Sequence, residues 1–148
     1  MLVKYHQFVT VLDEKMNRIR GEITRTEQGL QQSIYKLNTL KSEFENYTAL
    51  INECTLSGIV SRSTISEKQR VMAVLISKQD AVYQEILTWR NRIVEQQDAL
   101  QERRREVLTI NKRKYKIEFF IKKLKHELSV KQQNLVDNET EEQVACGY

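Results

Sequence analysis

Apolar side chains recur every seven residues along most of this chain, and no other feature constrains the fold as strongly. Steps of seven from Val9 reach only apolar residues, namely Val9, Met16, Ile23, Leu30, Leu37, Phe44 and Ile51. The companion positions, three residues later, are Leu12, Ile19, Thr26, Ser33, Leu40, Tyr47 and Cys54. A pattern of a and d positions sustained over this length is typical of a coiled coil. It predicts a first helix from about residue 3 to about residue 55.

A second heptad run follows a short interruption. Its a positions are Met72, Gln79, Ile86, Ile93, Leu100, Val107, Lys114, Ile121, Leu128 and Leu135, and its d positions are Leu75, Val82, Trp89, Gln96, Arg103, Ile110, Ile117, Leu124 and Lys131. This run predicts a second helix over about residues 64 to 136. The polar members of the run cost stability, and we expect them to fix the register of the two helices or to weaken their packing.

The interruption contains the signals of a turn. Residues 56–63 include Gly58 and three Ser, and Thr64 and Glu67 then have the spacing of a capping box. We therefore predict an all-α fold, a long two-helix antiparallel coiled-coil hairpin forming a single domain over residues 1–148. Facing residues would have sequence numbers that sum to about 121, and residues 137–148 would form a flexible acidic tail.

Composition excludes several other classes of protein. The chain of 148 residues has no proline, only four glycines and 30% charged residues, which does not suit a compact globule. Its two cysteines are too few and too far apart for a disulfide framework or a zinc site. The N-terminal segment lacks the features of a signal peptide, and no segment approaches the roughly 20 apolar residues that span a bilayer. We expect a cytosolic protein that does not insert into membranes.

No constellation of catalytic residues is visible in the sequence. The two histidines, His6 and His126, have no metal-ligating neighbours, and there is no glycine-rich phosphate loop or nucleophile elbow. Two paired helices also offer little concavity in which to build an active site. The sequence predicts a protein that is not an enzyme and that needs no cofactor or metal.

Positive charge is concentrated in one part of the second helix. The net charge is +4, yet residues 103–131 hold eleven Lys and Arg against three Glu. The heptad register places several basic and aromatic residues of this segment away from the partner helix: Lys112, Tyr115, Lys116, Phe119, Lys122 and Lys123. A coiled coil does not require outward aromatics, so Tyr115 and Phe119 indicate a contact surface. The other interpretation is that a third helix or a second copy covers Phe119.

Three partners could meet such a surface. A nucleic acid would suit the charge, but no base-reading constellation stands out, and a membrane surface would need an apolar stripe that the hairpin already uses. An acidic protein socket fits best, since lysines supply long-range attraction and aromatics supply packing. A generic cytosolic coiled-coil scaffold or homo-oligomerising adaptor is the main alternative, and a basic helix that binds nucleic acid is the third.

The sequence resembles the FliJ/YscO/InvI family, the central-stalk proteins of flagellar and virulence type III secretion systems, and is most similar to the InvI-like virulence branch. The resemblance rests on segments in a similar order: LVKYHQFVTVLDEK, a Ser/Thr break before ISEKQRVMAVLISKQDAVYQEI, IVEQQDALQERRREVLTINKRKYKIEFFIKKLKHEL, and the acidic NETEE. It implies a stalk whose paired termini enter the pore of a hexameric secretion ATPase and promote its activity, while the hairpin reaches an export-gate protein. Some members of the family also bind export chaperones.

The resemblance also assigns expected roles to residues of this chain. The residues implied to meet the ATPase, together with the outward aromatics, are Arg103, Arg104, Arg105, Lys112, Tyr115, Lys116, Phe119, Lys122 and Lys123. Contact with the export gate would come from the tip, through Ile59, Arg62 and Lys68. The implied location is the cytoplasmic face of the bacterial inner membrane, and the free protein would be a monomer that binds no specific nucleic acid.

Overall fold

Two long helices make up the computed structural model, which describes residues 2–55 and 62–146. Helix α1 spans Leu2–Thr55 and helix α2 spans Arg62–Cys146. The helices pack against each other, which confirms the prediction of an all-α two-helix hairpin. Most of the predicted turn, residues 56–61 with Ile59 among them, lies outside the described residues.

The heptad positions form the core. Each a and d residue of α1 from Val9 to Cys54 is buried or half-buried, and so is each of α2 from Met72 to Leu124. The buried members, each at most 8% exposed, are Met16, Ile19, Ser33, Leu40, Ile86, Ile93, Leu100, Ile110 and Ile121. With no proline to interrupt the backbone hydrogen bonds, the periodic apolar stripe continues along both helices and removes its side chains from water.

The first of two compact units contains Met1–Glu22 and Arg103–Tyr148. Its core includes Met16 and Ile19 of α1 with Ile110 and Ile121 of α2, all at most 5% exposed. The ring of Tyr5 packs edge-on against that of Phe120, with 5.3 Å between centroids. The contacts run antiparallel, since Tyr5 meets Phe120 and Asp13 meets Lys114.

The second unit is Ile23–Glu102. Leu40, at 2% exposed, is its most buried large side chain. The Phe44 and Tyr83 rings lie 6.2 Å apart between centroids, and Gln79 Nε2 donates to Thr48 Oγ1 at 2.6 Å. Here too the order of the contacts is antiparallel.

The polar residues within the heptad pattern mostly have partners on α1. Gln79 bonds Thr48, Arg103 pairs with Glu22, and Lys114 Nζ lies 2.7 Å from Asp13 Oδ1. Gln96 differs, because its buried Oε1 has no hydrogen-bond partner within the described residues. The three paired residues each favour one alignment of the helices, because sliding would separate charged or hydrogen-bonded atoms.

The register differs from the one predicted. Contacting residues of α1 and α2 have sequence numbers that sum to between 123 and 127, where 121 was expected. A shift of about half a heptad exchanges a and d partners while keeping apolar side chains in contact. The heptad pattern therefore identifies the buried face of each helix without fixing the alignment.

Both ends of α2 extend beyond their predicted positions. The helix begins at Arg62, so that Thr64 lies inside it rather than capping it. It ends at Cys146, ten residues beyond the predicted end at 136, and includes most of the segment expected to be a flexible tail. No glycine or proline lies between residues 137 and 146. Acidic residues at its end do not themselves stop a helix.

Candidate partner-binding surface

Residues on the outward side of α2 form what we call the basic–aromatic surface: Lys112, Tyr115, Lys116, Phe119, Lys122 and Lys123. All six are exposed, with Tyr115 at 68% and Phe119 at 72%. The spacing explains the grouping, because residues three or four apart on a helix are neighbours on one side. The prediction that these side chains face away from the other helix agrees with their exposure.

A shallow groove crosses this surface. It is lined by Tyr115, Lys116, Glu118, Phe119 and Lys122. Two aromatic rings at i and i+4 give the groove apolar walls, and lysine side chains surround them. Such a groove suits a partner side chain that is apolar at its centre and acidic at its edge.

The lysine within the packed side of this segment has a different role. Lys114 Nζ is 2.7 Å from Asp13 Oδ1 and 3.9 Å from Glu118 Oε1. The hydrogen bond with Asp13 raises the pKa of Lys114, against a smaller opposing effect of burial. Its charge is thus matched by α1, while the exposed lysines on the outward side stay available to a partner.

Leu108 extends the surface and was missed at the sequence level. It is 60% exposed and lies one heptad before Tyr115, at the same outward position. Stepping back by seven from Tyr115 would have found it. The apolar part of the surface therefore runs from Leu108 through Tyr115 to Phe119.

Arg103, Arg104 and Arg105 lie earlier in α2 than the basic–aromatic surface, and their environments differ. Arg103 is half-buried and forms an ion pair with Glu22, so it contributes to the packing of the two helices. Arg104 and Arg105 are exposed. Arg105 lies ten residues before Tyr115, roughly 15 Å along a helix. The arginines are thus not part of the same patch as the aromatics.

A second exposed apolar group lies on α1 within the first unit. Phe8 is 62% exposed and Val11 59%, and with Lys4 and Gln7 they line a shallow groove. Phe8 is one turn from Tyr5, whose ring contacts Phe120. Sequence reasoning did not select Phe8, although its three-residue spacing from Val11 on the outward side of the heptad register was a usable signal.

Of the three residues assigned to the tip, the structure describes two. Arg62 is exposed and Lys68 is half-buried, both in the second unit, and Ile59 lies outside the described residues. Arg62 and Lys68 lie six residues apart on α2, roughly 9 Å along the helix.

The described residues were also compared with the requirements of a metal site and of a membrane-spanning segment. Among residues 2–55 and 62–146, no three His, Cys, Asp or Glu side chains are placed to hold a metal ion. Neither described helix contains a stretch long and apolar enough to cross a lipid bilayer.

A family model supplies the identification. The model described as Salmonella surface presentation of antigen gene type M protein matches residues 3–144, nearly the whole chain. The chain belongs to this family. The match confirms the resemblance to the InvI-like branch, and it makes the chain a protein associated with type III secretion, in a family that is not catalytic.

The other two comparisons add no relatives. Neither the search of curated proteins nor the search of solved structures found a match. The family model and the helical hairpin are thus the two findings from which a function is inferred for this surface presentation of antigen M family member.

Proposed function

We propose that this protein is the non-enzymatic central stalk of a type III secretion system. Its first unit would insert into the pore of the hexameric secretion ATPase and promote turnover, at the cytoplasmic face of the inner membrane. The observation that carries the proposal is the exposure of Tyr115 and Phe119 among lysines on a helix whose inner side is already packed. Membership of a type III secretion family supports the same role.

The physical argument concerns how the surface would bind. Lysines attract an acidic pore over a distance of about 10 Å at moderate salt, and the attraction speeds encounter more than it adds affinity. Burial of an exposed aromatic ring then supplies the larger part of the binding free energy. Leu108, Tyr115 and Phe119 provide that apolar area along a single side of α2.

The contact between Tyr5 and Phe120 has a supporting role in this proposal. Their edge-on packing fixes the beginning of α1 against α2, one residue from Phe119. The partner would then meet two helices held together rather than one mobile helix. A rigid surface loses less conformational entropy on binding.

We also propose that the protein contacts an export gate and export chaperones. This part of the proposal rests on the family and on the exposed Arg62 with Lys68 near the predicted tip. A gate contact would require residues 56–61, which include Ile59. Replacement of Arg62 and Lys68 by Glu should reduce protein export while leaving ATPase stimulation unchanged.

The test of the ATPase role is a turnover assay with the secretion ATPase hexamer. Wild-type protein should raise phosphate release, and Phe119→Ala with Lys122→Glu and Lys123→Glu should weaken the stimulation by at least about tenfold, since the change removes an aromatic anchor and reverses two charges. Circular dichroism should show an unchanged helical signal, because all three side chains are exposed.

A matched control is available in the second unit. Tyr35 is 77% exposed, and Lys36 and Lys41 are exposed as well. The variant Tyr35→Ala, Lys36→Glu, Lys41→Glu also removes one exposed aromatic ring and reverses two lysine charges, and it should stimulate like wild type. Equal loss in both variants, or no stimulation and no low-salt binding by wild-type protein, would contradict the proposal.

A further inference from the structure

The first unit has a side of exposed basic and apolar residues that the basic–aromatic surface does not include. In an antiparallel pair, the g positions of both helices lie along one side of the packed core and the e positions along the other. The contact of Tyr5, at d, with Phe120, at g, marks the g side, and the pair of Asp13, at e, with Lys114 marks the e side. The g and neighbouring c positions form what we call the lateral face: Lys4, Phe8, Val11, Lys15, Arg18, Arg113 and Phe120.

All seven residues of the lateral face are exposed. Phe8 is 62% exposed, Val11 59% and Phe120 43%, and the first two line a shallow groove on α1. Phe8 is one turn from Tyr5, and Tyr5 contacts Phe120, so the rings of the two helices belong to one region. Three apolar side chains therefore remain in contact with water among basic ones.

Charge differs between the two sides of this unit. At c and g positions within residues 4–18 and 106–127, the basic residues are Lys4, Lys15, Arg18, Arg113, Lys116 and Lys123, and the acidic ones are Glu106 and Glu127. At b and e positions within the same ranges, Lys122 and Lys125 are balanced by Asp13 and Glu118. The g side thus has six positive charges against two negative ones, whereas the e side has two against two. An anionic partner would be attracted to the g side.

We propose that the lateral face binds an anionic phospholipid surface, with Phe8 and Val11 inserted among the headgroups. Each basic side chain near anionic lipid adds to the attraction. Exposed aromatic and aliphatic side chains bury their apolar area at the boundary between headgroups and acyl chains. The contact would be peripheral and reversible, since only side chains on one side of a packed hairpin take part.

The extent of the lateral face favours a lipid surface over an acidic protein. Lys4 and Arg18 are fourteen residues apart, roughly 21 Å along α1, and Arg113 adds a positive charge from α2. A layer of anionic headgroups can meet all of these charges at once, whatever their spacing. A protein would instead need carboxylates placed to match each of them. The groove beside Phe8 and Val11 is shallow, which suits insertion into a fluid layer.

This inference does not depend on the proposed secretion role. The two surfaces have different apolar residues, Phe8 with Val11 in one and Tyr115 with Phe119 in the other, so each can be altered without the other. A vesicle assay contains no ATPase, and its outcome therefore does not bear on ATPase stimulation.

Flotation of the full chain with vesicles tests the proposal. Wild-type protein should float with vesicles of phosphatidylglycerol and phosphatidylcholine at low salt, should dissociate as salt is added, and should not float with phosphatidylcholine alone. Lys4→Glu, Lys15→Glu, Arg18→Glu should weaken partitioning to the anionic vesicles by at least about tenfold, because three attractive charges become repulsive. Circular dichroism should keep its helical signal, since the three side chains are exposed.

A matched charge control lies in the second unit. Lys36→Glu, Lys41→Glu, Arg70→Glu also reverses two lysines and one arginine at exposed positions, and it should bind vesicles like wild type.

The apolar contribution has its own matched pair. Phe8→Ala should weaken partitioning by about fivefold, since part of the ring's apolar area leaves water on binding. Phe119→Ala makes the same change in the same unit, at a residue that is 72% exposed, and should bind like wild type.

Three results would overturn the proposal. Failure of wild-type protein to bind anionic vesicles at low salt would do so, and it would leave an acidic protein as the occupant of the lateral face. Equal losses from the two triple variants would mean that binding reflects net charge alone. Equal losses from Phe8→Ala and Phe119→Ala would mean that the lateral face is not the site of contact.

Discussion

At the scale of single residues, the pairing of Lys114 with Asp13 shows how the hairpin accommodates charge within its packed side. Lys114 occupies an a position, which is normally apolar, and its ammonium group is 2.7 Å from Asp13 Oδ1. The hydrogen bond raises the pKa of Lys114 above the usual 10.5. The folded state therefore favours the charged lysine, and the pair contributes stability for as long as the proton stays bound.

The pair predicts a specific pH dependence. Since the folded pKa is raised, the contribution is fully present below 10.5 and is lost as the pH rises through the folded value. Asp13→Asn should lower the urea midpoint at neutral pH, and its difference from wild type should shrink only at alkaline pH. Urea titrations at several pH values measure this.

The neighbouring carboxylate provides the control for that experiment. Glu14 is exposed, and Glu14→Gln removes a charge of the same sign one position along α1. It should leave the midpoint close to wild type at every pH. The assignment would be contradicted if Asp13→Asn had the urea midpoint of wild type at neutral pH. It would also be contradicted if the difference in midpoint persisted unchanged at strongly alkaline pH.

The outward orientation of individual side chains was predictable from the sequence, whereas their partners were not. Phe119 and Tyr115 were placed on the outer side by counting in sevens, and both are largely exposed. The contact of Phe120 with Tyr5 depends on which turn of α1 lies opposite, which the periodicity leaves undetermined. The pairing of Arg103 with Glu22 was missed for the same reason, because the heptad pattern placed Arg103 at a d position without identifying the residue of α1 opposite it.

At the scale of the helices, burial in the heptad core should dominate stability. Leu40 is 2% exposed at a d position of α1, whereas Leu50, on the same helix, is 44% exposed. Leu40→Ala should lower the free energy of unfolding by about 2–5 kcal/mol, because it removes buried methyl groups and leaves a cavity.

Leu50→Ala is the matched control, since it makes the same chemical change on the same helix. Its effect should stay within about 0.5 kcal/mol, as expected for a surface substitution. Chemical denaturation followed by circular dichroism gives both values. An equal loss of unfolding free energy for the two substitutions would contradict the conclusion that packing in the heptad core stabilises α1.

The helices themselves were largely predictable, and their ends and alignment were not. The start of α1 differs from its predicted position by one residue, whereas α2 continues ten residues beyond its predicted end to Cys146. The acidic composition of residues 137–142 suggested a flexible tail, but these residues lack proline and glycine and continue the helix. A heptad pattern identifies a helix only where one side of that helix is buried, and residues 125–145 are all exposed.

At the scale of the whole molecule, the family assignment and the two-helix fold agree with the sequence interpretation. The family model covers residues 3–144, so it includes both heptad runs and the basic–aromatic surface. What periodicity could not supply was the partner. Both sides of the heptad core belong to this chain, so its sequence contains the pattern that forms the core. A docking surface is complementary to residues of another protein, which this sequence does not contain.

Photo-crosslinking from position 119 tests the central claim most directly. Phe119 replaced by p-benzoylphenylalanine keeps an aromatic ring at a position that is 72% exposed, and Tyr35 replaced in the same way is the control at 77%. Irradiation of cells with an active type III secretion system should join position 119 to the secretion ATPase and leave position 35 without that product. Absence of the ATPase from the position 119 products, or equal capture from position 35, would contradict the account.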